Sequence, residues 1–565
     1  VLKFKIIENG NFIKLDEFDL NLERNDLFKH FRKKSKKAAF NVMVDRGIWD
    51  GYDSFISKDG RIAIGLWKEI ENFSKVTGHE CQIEGIEKRL SLDLDREKYD
   101  SLVDRLLEDV VDERGNPIVP RDYQVEGAYR ALKYRFCTQE LATSAGKTLI
   151  FYIYNSILKI GGVISSENKK SLVIVPNVSL VGQTAEKFEM YSNGEVTWKV
   201  STIGGDDKFD QDLFESSDIL ITTYQSLINF HPDSLRSKLA KLNKKYNKAK
   251  KDDREALQRQ IDRLKEKIQW AKDYDIFSKF SVVNIDETHK SRGNSIQEIL
   301  IACTNWKYRF GLSGTVKIDE SFSDYFKVQE NVGPLVMVLS AKHLIDHGYS
   351  PNIKIKIVDL KYDETAESIQ KYWHLKENGK AMYNNPKDFG RDMLALERNI
   401  IFESKERLNF ISSLAQKLEK NTLILFSDVK NEYGKQIQRN LQEWNQHVYY
   451  IDGEVDSTDR DQYKDIMEKN DGVIIVASYG TFSTGIDLKN VFHIIFAEST
   501  KAEITIRQSI GRGMRKLAEK NRVIVWDLVD QLKGYMVKHS EVREEIYLDQ
   551  SFEVKHQEIE LAKFQ

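Results

Sequence analysis

Short apolar runs, each closed by a turn or a carboxylate and followed by a helical pattern, recur along this chain, and the series runs through twice. The first set is SLVIVP at 171–176, DILITT at 218–223, SVVNID at 281–286 and YRFGLSGT at 308–315. The second, beginning after about residue 350, is NTLILFS at 421–427, HVYYIDG at 447–453, GVIIVAS at 472–478, VFHIIFAE at 491–498 and RVIVWDLV at 522–529. Strand, loop and helix repeated in this way predict a parallel sheet wrapped by helices, and the restart predicts a second one. The expected fold class is α/β, with two doubly wound parallel-sheet lobes.

A chain of 565 residues is too long for one core. Residues 1–100 mix short alternating runs (LKFKII, RIAIGLW) with the basic segment HFRKKSKKAAF at 30–40, which predicts a small α+β domain. Its basic segment is either a grip on a nucleic-acid duplex or a solvated loop. Residues 101–345 hold the first lobe, 346–535 the second, and 536–565 a C-terminal helical tail. An insert at 235–273 interrupts the first lobe. Leu235, Leu239, Leu242, Tyr246 and Ala249 share one helical face there, and Leu257, Ile261, Leu264, Ile268 and Ala271 share another. The break at Lys251-Asp252-Asp253 predicts a helical hairpin. From Arg236 to Lys272 it carries fourteen Lys/Arg against five Asp/Glu, so its outer face is either a phosphate contact or a solvated surface.

Total charge decides nothing: Lys and Arg number 86 against 88 Asp and Glu, so any nucleic-acid surface has to come from local clustering. Cys81, Cys137 and Cys303 lie far apart without CxxC or Cys/His spacing, which argues against a disulfide framework or a zinc site. No apolar run reaches the ~18–20 residues of a membrane span. The opening VLKFKIIENG lacks the apolar core of a signal peptide. The expectation is a soluble, cytoplasmic protein with no membrane partner.

Chemistry concentrates in three places. Thr143, Ser144, Ala145, Gly146, Lys147 and Thr148 follow a short apolar run and open the helical pattern TLIFYIYNSIL. Backbone N–H groups of such a loop and the helix N-terminus wrap phosphate, the lysine neutralises its charge and the threonine hydroxyl holds magnesium. Leu141 stands where the GxxxxGK[ST] pattern has its first glycine. Asp286 and Glu287 close the run SVVNI, at the carboxyl end of a strand, where open α/β sheets bind ligands. One carboxylate can hold the metal and the other can orient the attacking water. His289 is either a relay for the γ-phosphate or a surface histidine. Far downstream, Arg512 and Arg515 lie one helical turn apart in QSIGRGMR, so both guanidinium groups can serve one anion. Arginines of this type stabilise the charge that spreads over a transferring phosphoryl group. A phosphate loop, an acidic pair and an arginine pair together imply ATP hydrolysis shared between two lobes.

In order and spacing, PRDYQ at 120–124, LATSAGKT at 141–148, IVPNVSLVGQ at 174–183, ITTYQSL at 221–227, DETH at 286–289, LSGT at 312–315, SYGTFSTGID at 478–487 and QSIGRGMR at 508–515 resemble the motifs of superfamily-two helicases. VYYIDGEVDSTDR at 448–460, GVIIVASYGTFSTGIDLKNVFHII at 472–495 and GIWDG in the front domain resemble the UvsW-like recombination and branch-migration helicases of T-even-type phages. The resemblance implies two RecA-like lobes, with ATP and Mg2+ as cofactors. It implies that Gln124 reads adenine in a pocket shaped by Arg121 and Tyr123. Lys147 and Thr148 would grip phosphate and magnesium, Asp286 would bind the metal and Glu287 would be the base. His289, Ser313 and Thr315 would couple hydrolysis to lobe movement. Gly485 and Asp487, with Gln508, Arg512 and Arg515, would act from the second lobe. Nucleic-acid backbone would lie near Pro176, Gln183, Gly204, Gly205, Thr223, Tyr224, Ser427, Ser478 and Thr481.

The implied activity is an ATP-dependent DNA helicase or translocase that remodels forks, Holliday junctions, displacement loops and R-loops in recombination, repair and replication. Implied partners are branched DNA, single-stranded DNA and RNA–DNA hybrids, with recombination or replication proteins alongside a monomeric enzyme in the cytoplasm of an infected host cell. The core motifs alone equally allow an RNA-remodelling ATPase, since nothing in them reads the 2′-hydroxyl. A nucleotide-binding scaffold without turnover is the third reading, and the presence of Glu287, Arg512 and Arg515 speaks against it. No clustered-carboxylate nuclease pattern stands apart from DETHK, so no DNA cleavage is expected.

Overall fold

A computed structural model describes residues 1–565 except 8–10, 17–21, 36–37, 39–40, 87–91, 114, 193–195, 206–208, 315–322, 384–385, 486–487, 499–502, 514–519 and 565. The chain forms two units, Val1–Leu141 with Gly146–Val338 and Ala142–Ala145 with Leu339–Gln565.

The first unit begins with β1 (Leu2–Ile7), β2 (Phe12–Leu15), β3 (Arg32–Lys34), β4 (Tyr52–Ser54), β5 (Arg61–Ala63) and β6 (Cys81–Glu84). Four of these form a mixed sheet in the order β5-β2-β1-β6, and β3 pairs with β4. A parallel sheet follows, built from β7 (Phe136–Leu141), β8 (Lys170–Val175), β9 (Val200–Ile203), β10 (Ile219–Thr223), β11 (Phe280–Asp286), β12 (Tyr308–Ser313) and β13 (Leu335–Leu339). Its order is β13-β7-β12-β11-β8-β10-β9. The five inner strands β7, β12, β11, β8 and β10 are buried nearly end to end, as expected where helices cover both faces of a parallel sheet, while the edge strands β13 and β9 are only partly buried.

The front strands share a core with this sheet, where the sequence led us to expect a separate domain at 1–100. Phe31 and Phe55 meet Phe326 with ring centroids 6.2 and 5.2 Å apart. Trp306 Nε1 donates to Asn11 Oδ1 at 2.7 Å, and Lys327 pairs with Asp53 at 2.7 Å. Gly65 is required by the same packing, since a Cβ there would lie 1.9 Å from the Gln329 carbonyl oxygen. Short alternating strands carry no record of a face buried by residues almost 300 positions away.

The insert is two helices, Pro232–Lys248 and Lys251–Tyr274. Leu235, Ile268 and Ala271 form their buried seam, with Leu239, Leu264 and Trp270 packed beside it. The break falls at Ala249–Lys250, slightly before the Lys-Asp-Asp run, which instead opens the second helix. A carboxylate in a first helical turn complements the positive end of the macrodipole, so Asp253 fits there.

The second unit contains β14 (Asn352–Lys361), β15 (Thr422–Phe426), β16 (Val448–Ile451), β17 (Ile474–Ser478), β18 (His493–Phe496), β19 (Arg522–Asp530) and β20 (Glu553–Glu560). All pairings are parallel, in the order β16-β17-β15-β18-β19-β14-β20. The tail expected to be helical is a helix, Tyr535–Asp549, followed by β20 on the sheet edge. Lys354–Glu553 and Lys361–Glu558 ion pairs tie this polar, exposed strand to β14. Its alternating charges hide it from an apolar-run reading. Among the described residues no helix is long and apolar enough to cross a membrane.

Candidate functional site

Parallel register puts the functional residues of the first unit on one edge. Ser313 pairs with Glu140, Asp286 with Leu312, Ile285 with Ile174, Thr223 with Val175 and Thr222 with Ile203. The loop after β7, the acidic pair after β11, Ser313 on β12, Pro176 after β8, Thr223 on β10 and Gly204–Gly205 after β9 therefore share the carboxyl edge, where such sheets bind ligands.

The loop 142–146 turns sharply into the helix Lys147–Ile160 through Ser144 and Gly146, with φ values of 69° and 72°. Glycine suits 146 because its φ of 72° is left-handed, and a Cβ there would also push on Gln124 Nε2 at 2.4 Å. Buried Gln124 ties the loop to the preceding helix, accepting from the Arg121 N–H at 2.9 Å and donating to the Gly146 carbonyl at 3.4 Å. Arg121 also donates to the Tyr123 hydroxyl at 2.6 Å. Ala145 is buried, Thr143 is partly so, and Thr148 lies in the first helical turn, whose unpaired N–H groups favour an anion.

Lys147 Nζ stands 3.0 Å from Glu287 Oε1, with the two side chains only 15% and 14% exposed. Glu287 adopts a left-handed backbone, φ 55°, a conformation that costs roughly 1–2 kcal/mol for a residue with a Cβ. Such strain concentrates where a side chain must be aimed. Ser313 Oγ donates to Glu287 Oε2 at 3.1 Å. Having one hydroxyl proton, Ser313 then accepts from His289 Nδ1 at 2.9 Å, which fixes the histidine proton on Nδ1. His289 is 4% exposed, which rules out the surface-histidine alternative.

Burial raises the Asp286 carboxyl to about 6 despite the opposing pull of Lys147. For Glu287 burial again opposes the charge, but Lys147 and His289 outweigh it and hold the carboxyl well below its usual range. The two neighbouring carboxyls are thus pushed apart, one settled by a cation and one left without a full counter-charge. Among the described residues no group of three or more His, Cys, Asp or Glu side chains could hold a metal. The Thr148 hydroxyl and Asp286 carboxylate are nevertheless hard oxygen donors of the kind that hold magnesium together with phosphate and water. The donor set fits that ion.

In the second unit, Ser478 lies opposite Phe426, so Ser427 and Ser478 close adjacent strands. Ser478 Oγ donates to Thr481 Oγ1 at 2.9 Å, and Gly485 ends the helix Tyr479–Gly485. Gln508 and Arg512 lie in the helix Glu503–Gly513. Their side chains, with Thr315, Asp487 and Arg515, fall outside the described residues.

Two family models match this chain. "Type III restriction enzyme, res subunit" covers residues 117–318, and "Helicase conserved C-terminal domain" covers 406–516. The chain belongs to the superfamily-two helicases. The helicase is 26% identical, over 94% of each chain, to a protein of Enterobacteria phage T4 named ATP-dependent DNA helicase uvsW. It is 25% identical to the DNA 3'-5' translocase XPB2 of Sulfurisphaera tokodaii, over 72% of this chain and 82% of that one. Its fold matches the DUF1998 helicase MrfA, solved bound to DNA, at 13% identity and a TM-score of 0.50, over 83% of this chain and 56% of that one.

The helicase also contains site residues that sequence reasoning missed. Glu498 Oε2 accepts from the Ser427 and Asp428 N–H groups at 2.7 and 2.8 Å, while Arg398 holds Oε1 at 2.5 Å. This pair, whose members lie 100 positions apart, sets the backbone at Ser427, and at such a separation spacing carries no signal. Lys290 beside the acidic pair is lowered from the ordinary lysine value by burial. Its place in DETHK was the one available hint.

Proposed function

We propose that this protein is an ATP-dependent DNA helicase or translocase that remodels branched DNA, including forks, four-way junctions, displacement loops and R-loops. The observation that carries the motor reading is the Lys147–Glu287–Ser313–His289 cluster on the carboxyl edge of the first sheet. Lys147 is held by Glu287 when no phosphate is present to take its charge. Phosphate entering the loop competes for that ammonium and releases Glu287 to accept a proton from the attacking water. Ser313 and His289 contact the same carboxylate, so its change of partner is felt along β12, and Thr315 extends this coupling. Bound magnesium, held by Thr148 and Asp286, would neutralise phosphate charge. Gln124, with Arg121 and Tyr123, recognises the base of ATP, and Gly485, Asp487, Gln508, Arg512 and Arg515 serve the nucleotide from the second lobe.

Pro176, Gln183, Gly204, Gly205, Thr223 and Tyr224 carry the strand backbone on the first lobe, and Ser427, Ser478 and Thr481 do so on the second. Small polar groups and backbone N–H groups suit a motor that ignores base identity. The specificity for DNA is supported by the likeness to the phage protein named as a DNA helicase, 26% identical along nearly the whole chain, and the branched substrates follow from the resemblance of the motifs at 448–460 and 472–495.

The test compares wild type with Lys147→Ala on fork, four-way junction, linear duplex and R-loop substrates, with and without ATP. We expect ATP-dependent product from wild type alone, most on the branched substrates. Equal product from both proteins removes the motor, and stronger stimulation of hydrolysis by RNA than by DNA replaces the substrate.

A further inference from the structure

Where the helical insert meets the far end of the first sheet there is an open cavity of about 370 Å³. It is lined by Ile203, Gly205, Phe209, Ser226, Phe230 and Trp270, with Asn229 and Lys267 beside them. The cavity joins two parts of the chain that the mechanism leaves unconnected. Gly205 and Ser226 belong to the carboxyl edge assigned to strand backbone, and Ser226 N–H donates to Thr223 Oγ1 at 3.2 Å. Trp270 and Lys267 come from the second helix of the insert.

Three rings form its apolar wall. Phe209 lies 5.1 Å from Phe230 and 5.9 Å from Trp270, both pairs meeting edge to face. Trp270 is braced from behind by Tyr274, stacked at 5.0 Å. The volume is at the lower end of the ~300–1,000 Å³ typical of small-ligand pockets, suited to one planar heterocycle. Lys267 Nζ sits 5.1 Å from the Phe230 ring centre with no carboxylate partner among the described residues. Its ammonium is lowered from the ordinary lysine value, first by desolvation and then by Lys238. Lys238 bonds the Asn229 side chain, so two cations border the same opening. Aromatic faces next to uncompensated lysines are the chemistry of a base on its phosphate.

We propose that this cavity takes one unstacked nucleobase of a bound strand, stacked on Trp270 and Phe209, with Lys267 on the adjoining phosphate. The inference rests on the nucleic-acid reading above and gives the insert a function in it. Ser226 and Asn229 offer hydrogen bonds that any base can use, so the pocket grips without reading sequence. It pins the strand at the end of the edge remote from Lys147.

The test uses the full chain without nucleotide and two single strands of about 20 nucleotides, oligothymidylate and an abasic deoxyribose-phosphate strand. Wild type is expected to bind oligothymidylate more tightly. Trp270→Leu should lose roughly 5- to 150-fold on oligothymidylate and little on the abasic strand. Lys267→Ala, a change at an exposed side chain, should weaken both strands and reduce the salt slope by about 0.7. Basal ATP hydrolysis should be unchanged in both variants. Equal losses from Trp270→Leu on the two strands, or none on either, overturn the base pocket while leaving the helicase reading intact. Failure of wild type to bind either strand overturns the nucleic-acid reading itself.

Discussion

Beyond β7, β12 and β11, Lys147, Glu287, Ser313 and His289 are interlocked and largely buried, with the lysine charge already met inside the protein. Beyond β10 and β9, on the same carboxyl edge, Gly205, Ser226 and Phe230 surround an open cavity where Lys267 has no anionic partner among the described residues. A ligand at the first end must displace an internal ion pair, so binding there changes what Glu287 and Ser313 touch. A ligand at the second end meets charge that is already waiting. The difference separates a switch from a grip, and the sheet holds both in fixed register.

The largest expected effect tests whether the switch is completed from the second lobe. Arg512→Ala should lower the rate of strand-stimulated ATP hydrolysis by ~10³–10⁵ in steady-state assays at saturating strand, with strand affinity retained. Glu287→Gln should lower turnover by ~10²–10⁴ while keeping nucleotide and strand binding, measured by equilibrium titration. If this variant instead loses strand affinity, the two ends of the edge are not separate devices. Salt sharpens the contrast more gently. Raising it should weaken strand binding along a log-linear slope set by the number of phosphates met, and nucleotide binding at the buried end much less.

Two smaller predictions concern the packing that steadies the edge. Gly65→Ala forces a methyl group against the Gln329 backbone and should cost ~1–3 kcal/mol or more by urea unfolding. Burial pushes the Glu69 carboxyl up, but His30 at 3.7 Å and the hydrogen bonds from Gln329 and Asn72 outweigh it and hold the carboxyl below 4.5. Its folded value lies below its unfolded one, so its stabilisation is complete above pH 4.5 and fades as pH falls through the folded value. Glu69→Gln should flatten that acid limb of the stability curve.

The sequence made the strands of both parallel sheets legible because burial on two faces writes itself as an apolar run, and it made the phosphate loop and acidic pair legible because their chemistry fixes spacing. It concealed β20, whose exposed strand alternates charges, and the fusion of the front strands to the helix Ser323–Val332, which depends on contacts across almost the whole first unit. The insert gave its hairpin through apolar periodicity but not its cavity, since Phe209, Phe230 and Trp270 converge from three separate elements. Likewise, His289 read equally as relay or surface residue until its hydrogen bond to Ser313 and its burial were known.

The most direct measurement is ATP hydrolysis titrated with oligothymidylate for wild type, Lys147→Ala and Lys267→Ala side by side. Lys147→Ala is expected to bind the strand normally and hydrolyse almost nothing. Lys267→Ala is expected to reach the wild-type maximal rate, but only at a higher strand concentration. A Lys147→Ala protein that still hydrolyses ATP at the wild-type rate, or a Lys267→Ala protein whose maximal rate collapses at saturating strand, would contradict the division of this edge into a switch and a grip.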